Sequence, residues 1–109
     1  MAEIQPYLQK MVDGFANPDV QTALIGFTKT LQFEFKDTGE KWLIKVDDGS
    51  KATLTQEMLD KPDMTVVTTT DTLAGIMDKK INANTAYMQR KIQIKGSLED
   101  LFRLQKLML

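Results

Sequence analysis

The stretch that decides the fold is PDMTVVTTTDTLAGIMDKKINANTAYMQRKIQIKG, residues 62–96. It begins with β-branched residues on both faces over 64–69, which is typical of a central strand buried on both sides. A helical segment containing methionine follows, and a second strand over 91–95 alternates Ile with polar residues before the chain reaches Gly96. The pattern predicts a strand–helix–strand crossover with one broad apolar helical face and no catalytic side chains.

Outside this stretch, the chain alternates between helical and strand periodicity. Helices are predicted over 3–16 and 18–26, and three antiparallel strands over 30–36, 41–46 and 51–55. Further helical segments are predicted over 56–59, from Thr70 or Asp71 to Lys79, over 84–89, and after Ser97, which caps the last helix.

These elements together predict an α+β fold. We expect a five-stranded mixed sheet, formed by a three-strand antiparallel meander and then the strand–helix–strand crossover, with about five helices covering mainly one face. The length of 109 residues predicts a single domain, residues 1–109. In the first strand, Leu31, Phe33 and Phe35 are predicted to face the core, and Gln32 to face outward.

The composition restricts the chemistry that the chain can perform. It has no cysteine and no histidine, which excludes disulfides, Cys/His zinc sites and Ser-His-Asp triads. The acid pairs 47–48 and 99–100 lie in a hairpin turn and in the first turn of a helix, where each has a local structural role. We therefore expect no catalysis, no metal site and no cofactor.

Targeting signals are also lacking in the sequence as given. Its first residues have no basic flank before an apolar segment, and the longest apolar runs are far too short to span a bilayer. The last three residues are not a peroxisomal address. A cytoplasmic protein is the resulting expectation.

Charge is distributed unevenly along the chain. Residues 1–78 hold seven Lys/Arg against thirteen Asp/Glu, a balance of −6, whereas residues 79–109 hold seven against two, a balance of +5. A basic end beside an apolar region suits the steering of an anionic head group or transient contact with an anionic membrane surface. The four cations assigned to this role are Lys79, Lys80, Arg90 and Lys91. The alternative is that these four cations are ordinary solvated residues. Nucleic acid is not an expected partner, because aromatic and basic residues are not interleaved.

Methionine is the positive signal in the composition. Apart from Met1, the methionines lie mostly on predicted helices, at positions 11, 58, 64, 77, 88 and 108. Because methionine is flexible and polarizable, it suits surfaces that must fit varied apolar partners. The alternative is that these residues fill gaps in an ordinary core.

Five motifs follow one another in a recognisable order. They are Gly39-x-x-Trp42-x-Ile44-x-Val46, Pro62-Asp63-Met64-Thr65-Val66, Asp71 at the start of a helix, Ala86-Tyr87-Met88, and Ile92-x-Ile94-Lys95-Gly96. Their order and spacing resemble the sterol carrier protein (nonspecific lipid-transfer) domain family over nearly the whole chain. The chain departs from the family pattern where Lys79-Lys80 and Gln89-Arg90 stand in place of the usual Gly-Lys and Ser-Gly.

The resemblance implies an apolar tunnel, enclosed by the helical side of the sheet, for fatty acids, acyl-CoA, sterols or phospholipids. By similarity, Trp42 lies at the tunnel wall, and Gln105 of the last helix faces the ligand. The candidate lining residues are Phe15, Leu24, Phe33, Trp42, Met77, Met88, Phe102, Gln105 and Met108. The implied function is reversible binding and intracellular transfer of such a lipid.

Two other functions remain open at this point. The chain could serve as a non-catalytic accessory or dimerisation domain of a larger lipid-metabolising enzyme. It could also be a small enzyme in which Tyr87 and a buried carboxylate transfer a proton on a steroid-like substrate. The sequence disfavours the enzyme, since no carboxylate falls on an apolar face beside Tyr87.

Overall fold

A mixed five-stranded sheet forms the frame of the protein. The computed structural model describes residues 3–48, 50–97 and 99–100. The strands are β1 (Lys29–Phe35), β2 (Lys41–Asp47), β3 (Lys51–Thr55), β4 (Met64–Thr68) and β5 (Gln93–Lys95). They lie side by side in the order β3-β2-β1-β4-β5, so β1 is the central strand.

The strand directions explain why the sheet is mixed. β1 pairs antiparallel with β2, and β2 pairs antiparallel with β3, which is the predicted meander. β1 pairs in parallel with β4, and β4 pairs antiparallel with β5. The predicted α+β class and five-stranded mixed sheet are confirmed. The parallel contact is the one between β1 and β4, while the helices of the 62–96 stretch connect two antiparallel neighbours.

Each helix starts at or near a residue suited to begin one. Within the described residues the helices are α1 (Gln5–Gly14), α2 (Pro18–Ala23), α3 (Thr70–Met77) and α4 (Ala83–Met88). The side chain of Asn17 accepts a backbone N–H at 2.9 Å to begin α2, as predicted. Thr69 and Asn82 accept N–H groups of α3 and α4 in the same way. The predicted caps of α3, Thr70 or Asp71, are therefore one or two residues late.

The predicted last helix falls almost entirely outside the described residues. The hydroxyl of Ser97 accepts a hydrogen bond from the N–H of Asp100 at 3.4 Å, which is the capping contact that the sequence predicts. The candidate residues Phe102, Gln105 and Met108 lie beyond this point, outside the part of the chain that the structure describes.

Gln32 departs most from the sequence-based expectation. Its side chain is on the sheet face that the alternation predicts, yet none of it is exposed (0%). Its amide nitrogen donates to the carbonyl oxygens of Trp42 and Glu57, both at 2.9 Å, and its amide oxygen accepts the N–H of Leu59 at 2.9 Å. The helical turn predicted over 56–59 is therefore wrong, because these backbone groups bind the Gln32 side chain instead of one another.

The turn after β1 is connected to the start of α3 through Asp37. Its carboxylate accepts the N–H of Thr70 at 3.0 Å and the Thr70 hydroxyl proton. Desolvation raises the pKa of Asp37, but these hydrogen bonds outweigh it and hold the pKa below its ordinary value. The contact places α3 over the end of β1, and a negative charge there also suits the positive end of the helix.

The core lies between the sheet and the helices α1, α2 and α3. Buried side chains from α1 include Leu8 and Met11, α2 contributes Val20, and α3 contributes Leu73. The opposite face of the sheet is mainly polar. Among the helices of the described residues, none is both long and apolar enough to cross a membrane.

Candidate functional site

The sheet face that the helices cover is apolar on every strand. Residues paired across neighbouring strands point to the same face, and Phe33 of β1 lies opposite Trp42 of β2 and Val66 of β4. The apolar residues of this face are Leu31, Phe33, Phe35, Trp42, Ile44, Val46, Ala52, Leu54, Met64, Val66 and Ile94. They form one continuous apolar surface, and the buried side chains of the helices pack against it.

Five of the nine predicted lining residues meet at this surface. Phe15, Leu24 and Phe33 are buried in the same cluster, with exposed fractions of 1%, 0% and 5%. Trp42 and Met77 are half-buried and pack against it. The predicted residues thus come from α3, the sheet, and the segments that follow α1 and α2, and they converge on one apolar region.

Met88 is placed apart from this region. Its side chain is 81% exposed, whereas Ala86, two residues earlier on α4, is fully buried (0%). Two residues turn an α-helix by about 200°, so a helix of this length that buries Ala86 points Met88 away from the core. The remaining three predicted residues, Phe102, Gln105 and Met108, belong to the part of the chain that is not described.

A second apolar cluster, which the sequence did not single out as part of the site, continues the first. Its buried members are Ile76 of α3, Ala86 of α4 and Ile92 before β5. Val66 and Ile94 pack against both clusters, so the two are in contact across β4 and β5. The alternation of Ile92 and Ile94 was the available signal, but only their contact with α4 shows that the apolar region extends this far.

The helix α3 packs closely on the chain that follows it. Gly75 lies on α3, and a Cβ atom at this position would come within 2.5 Å of the Ile81 side chain. The carbonyl of Gly75 also accepts the N–H groups of Lys80 and Ile81 at 2.8 and 3.1 Å. Glycine is therefore what lets the chain turn back and place Ile81 beside α3.

Polar groups near the apolar region are occupied by structural hydrogen bonds. The Trp42 ring N–H donates to the Glu40 carboxylate at 3.3 Å, and the buried Thr68 hydroxyl donates to the Lys91 carbonyl at 2.9 Å. Among the described residues, every buried side-chain nitrogen or oxygen has a hydrogen-bond partner, and no group of acidic side chains could hold a metal ion. What these residues supply is apolar contact area.

The four predicted steering cations lie at the ends of two helices. Lys79 and Lys80 follow α3, Arg90 and Lys91 follow α4, and all four are exposed. Lys79 has φ +62° and Arg90 has φ +60°. The N–H groups of Lys80 and Lys91 reach back to the carbonyls of residues 75 and 86 at 2.8 and 2.9 Å, so both helices end in a left-handed turn that usually contains glycine.

The left-handed conformation predicts that glycine stabilises the protein at these two positions. Lys79→Gly and Arg90→Gly should each raise the free energy of unfolding by about 1 kcal/mol, because glycine lacks the Cβ contact that disfavours this conformation. Thermal melts check this. Lys80→Gly is the control, since its φ is not positive, and it should not stabilise. No rise for either variant would contradict the assignment of strain.

A comparison with family models now identifies the chain. Residues 8–109 match the SCP-2 sterol transfer family. The chain belongs to this family. Its resemblance to sterol carrier domains, inferred above from five motifs, is thereby confirmed.

Solved structures share the same fold. The sterol carrier protein domain 2 of Helicoverpa armigera is 18% identical, with a TM-score of 0.74 over 96% of this chain and 84% of that one. The palmitated SCP2L2 from Aedes aegypti is 17% identical, with a TM-score of 0.61 over 93% of both chains. At these identities the likeness concerns the fold alone. Among curated proteins, none matches the sequence.

A third similar structure is part of a much larger enzyme. The stereoselective inverting sec-alkylsulfatase Pisa1 from Pseudomonas sp. is 25% identical over 80% of this chain, with a TM-score of 0.67. The chain spans only 14% of the length of that sulfatase. The fold therefore occurs both as a small sterol carrier domain and inside a longer enzyme chain.

Proposed function

We propose that this protein binds a lipid reversibly between its helices and the apolar face of its sheet, and transfers it within the cytoplasm. The ligand classes are long-chain fatty acid, fatty acyl-CoA, sterol or phospholipid. Membership of a sterol transfer family implies lipid binding. The observation that carries the proposal is the convergence of Phe15, Leu24, Phe33, Trp42 and Met77 on one apolar region.

The energetics favour a ligand that is apolar along most of its length. Burial of apolar surface contributes about 25 cal/mol per Å², so a long acyl chain or a sterol ring system gains most from such a region. Since the buried polar side chains of the described residues already have hydrogen-bond partners, a ligand finds few free hydrogen-bonding groups there. The region is therefore suited to hold a lipid without changing its covalent bonds.

Ligand addition should raise the melting temperature. A ligand at a hundred times its dissociation constant stabilises the folded state by about 2.7 kcal/mol, which for a domain of this size is a rise of roughly 10–20 °C. Oleate, palmitoyl-CoA and cholesterol should be compared on delipidated protein, with native mass spectrometry to count bound molecules. The proposal would be contradicted if no bound lipid is detected and none of the three lipids changes the melting temperature.

The second candidate function is a non-catalytic accessory or dimerisation domain of a larger lipid-metabolising enzyme. The similarity to one part of the sec-alkylsulfatase chain favours it. In that case the apolar region is a filled core, and lipids should leave the melting temperature unchanged. The same melting experiment therefore separates the two candidates.

The proton-transfer alternative receives no support from the position of Tyr87. Its side chain is 51% exposed on α4, and within the described residues no carboxylate is hydrogen-bonded to it. We therefore propose a non-enzymatic function without cofactor.

A further inference from the structure

The helix α4 carries apolar side chains outward. Tyr87 is 51% exposed and Met88 is 81% exposed. Because Ala86 is the residue of α4 that is buried, the helix packs on the core through one small side chain. Its exposed side therefore presents an aromatic ring and a flexible thioether at the surface of the protein.

Cations stand at both ends of this helix. Lys79 and Lys80 come shortly before α4, and Arg90 and Lys91 come directly after it. A helix of six residues is about 9 Å long, so the two pairs flank a short element that carries Tyr87 and Met88. In the described part of the chain no ion pair involves any of the four. The neighbouring acid, Asp78, instead accepts the hydroxyl proton of Tyr7 at 2.7 Å.

Two of these cations occupy positions where a charged residue is locally unfavourable. Lys79 and Arg90 have φ values of +62° and +60°, which cost an L-residue about 1 kcal/mol relative to glycine. A cation near a helix C-terminus is favoured by the helix dipole, but other positions in the last turn provide that without strain. Local backbone preference therefore does not account for a charged residue at these two positions.

We propose that α4, with the cations at its two ends, is a docking surface for an anionic lipid bilayer. The cations bind lipid phosphates, while Met88 and the ring of Tyr87 insert among the head groups, where amphipathic and apolar side chains are stable. α4 also contributes Ala86 to the cluster with Ile76 and Ile92, which adjoins the proposed lipid-binding region. The role of this surface in lipid exchange rests on the proposed function, but its binding to a bilayer does not.

Vesicle flotation tests the cationic part of the surface. The wild-type protein should float with vesicles of equal parts phosphatidylcholine and phosphatidylglycerol, should not float with phosphatidylcholine alone, and should be released by salt. The pair Lys79→Gly with Arg90→Gly should weaken this binding about 25-fold, at about fivefold for each cation, although the variant should melt higher than the wild type. The control pair, Lys51→Gln with Lys61→Gln, removes two exposed cations elsewhere and should bind almost as tightly as the wild type. Equal weakening by both pairs would overturn the proposal.

A fluorescent label tests the insertion of α4. The chain has no cysteine, so Met88→Cys and Met58→Cys each carry a single environment-sensitive dye, on residues that are 81% and 55% exposed. Anionic vesicles should brighten and blue-shift the dye at position 88 and leave the dye at position 58 unchanged. Unchanged emission at 88, or equal changes at both positions, would overturn the proposal. If oleate still raises the melting temperature in that case, only the docking surface is wrong and the proposed lipid binding stands.

Discussion

Phe33→Ala is expected to lower the free energy of unfolding by about 3–5 kcal/mol and to weaken the binding of a long acyl chain roughly tenfold. The ring is 5% exposed and lies on the central strand, opposite Trp42 and Val66. A tenfold loss corresponds to about 1.4 kcal/mol, which is the contribution of about 55 Å² of apolar contact between ring and ligand. Denaturant unfolding and titration with a fatty acid measure the two effects separately.

Phe35→Ala is the matched control for this prediction. Phe35 lies on the same strand and the same face, is 1% exposed, and stacks on Phe33 with ring centres 6.3 Å apart. It should lose similar stability but keep its lipid affinity, because it is not among the proposed lining residues. If either alanine variant does not fold, Phe33→Leu and Phe35→Leu repeat the comparison with smaller cavities. Equal losses of affinity in both variants, or none in either, would refute the assignment of Phe33 to the lining.

Gln32→Leu is expected to lower the free energy of unfolding by about 3 kcal/mol or more. The side chain is fully buried and makes hydrogen bonds to three backbone groups, those of Trp42, Glu57 and Leu59. Each such bond contributes about 1 kcal/mol, and a buried group left without a partner costs more. Hydrogen exchange should show that the Leu59 N–H loses its protection, because the Gln32 oxygen is its acceptor.

Gln93→Leu serves as the comparison for Gln32. Gln93 lies on the same face of the sheet, on β5, but it is exposed. Its replacement should change the free energy of unfolding by no more than about 0.5 kcal/mol. Similar effects of the two substitutions would show that the Gln32 contacts contribute little to stability.

Most of the fold could be predicted because its signals are local. The strand at β4 and the hairpins that join β1, β2 and β3 follow from alternation and turn residues, and the start of α2 follows from Asn17-Pro18. The burial of Gln32 could not be predicted in this way. Alternation assigns it to the outer face, and only the path of 56–59 across that face removes it from water.

The positions of the candidate residues in the fold could be predicted in part for the same reason. Phe15, Leu24, Phe33 and Trp42 lie on predicted apolar faces, and those faces meet in the core. The direction of the Met88 side chain depends on the rotation of a short helix, which a shift of one or two residues can change. The number of methionines in a sequence does not indicate which way each side chain points. The family's usual glycines marked the positions of Lys79 and Arg90, but the left-handed backbone there is visible only in the structure.

The central claim, that a lipid binds against the helix-covered face of the sheet, is tested most directly by the emission of the single tryptophan. Trp42 is half-buried and packs against the apolar cluster, so stearic acid brominated at the middle of its chain should quench it on contact. We predict saturable quenching near one lipid per protein, reversed by unlabelled oleate. Lipid binding seen by native mass spectrometry without quenching of Trp42 would contradict the claim and place the lipid elsewhere.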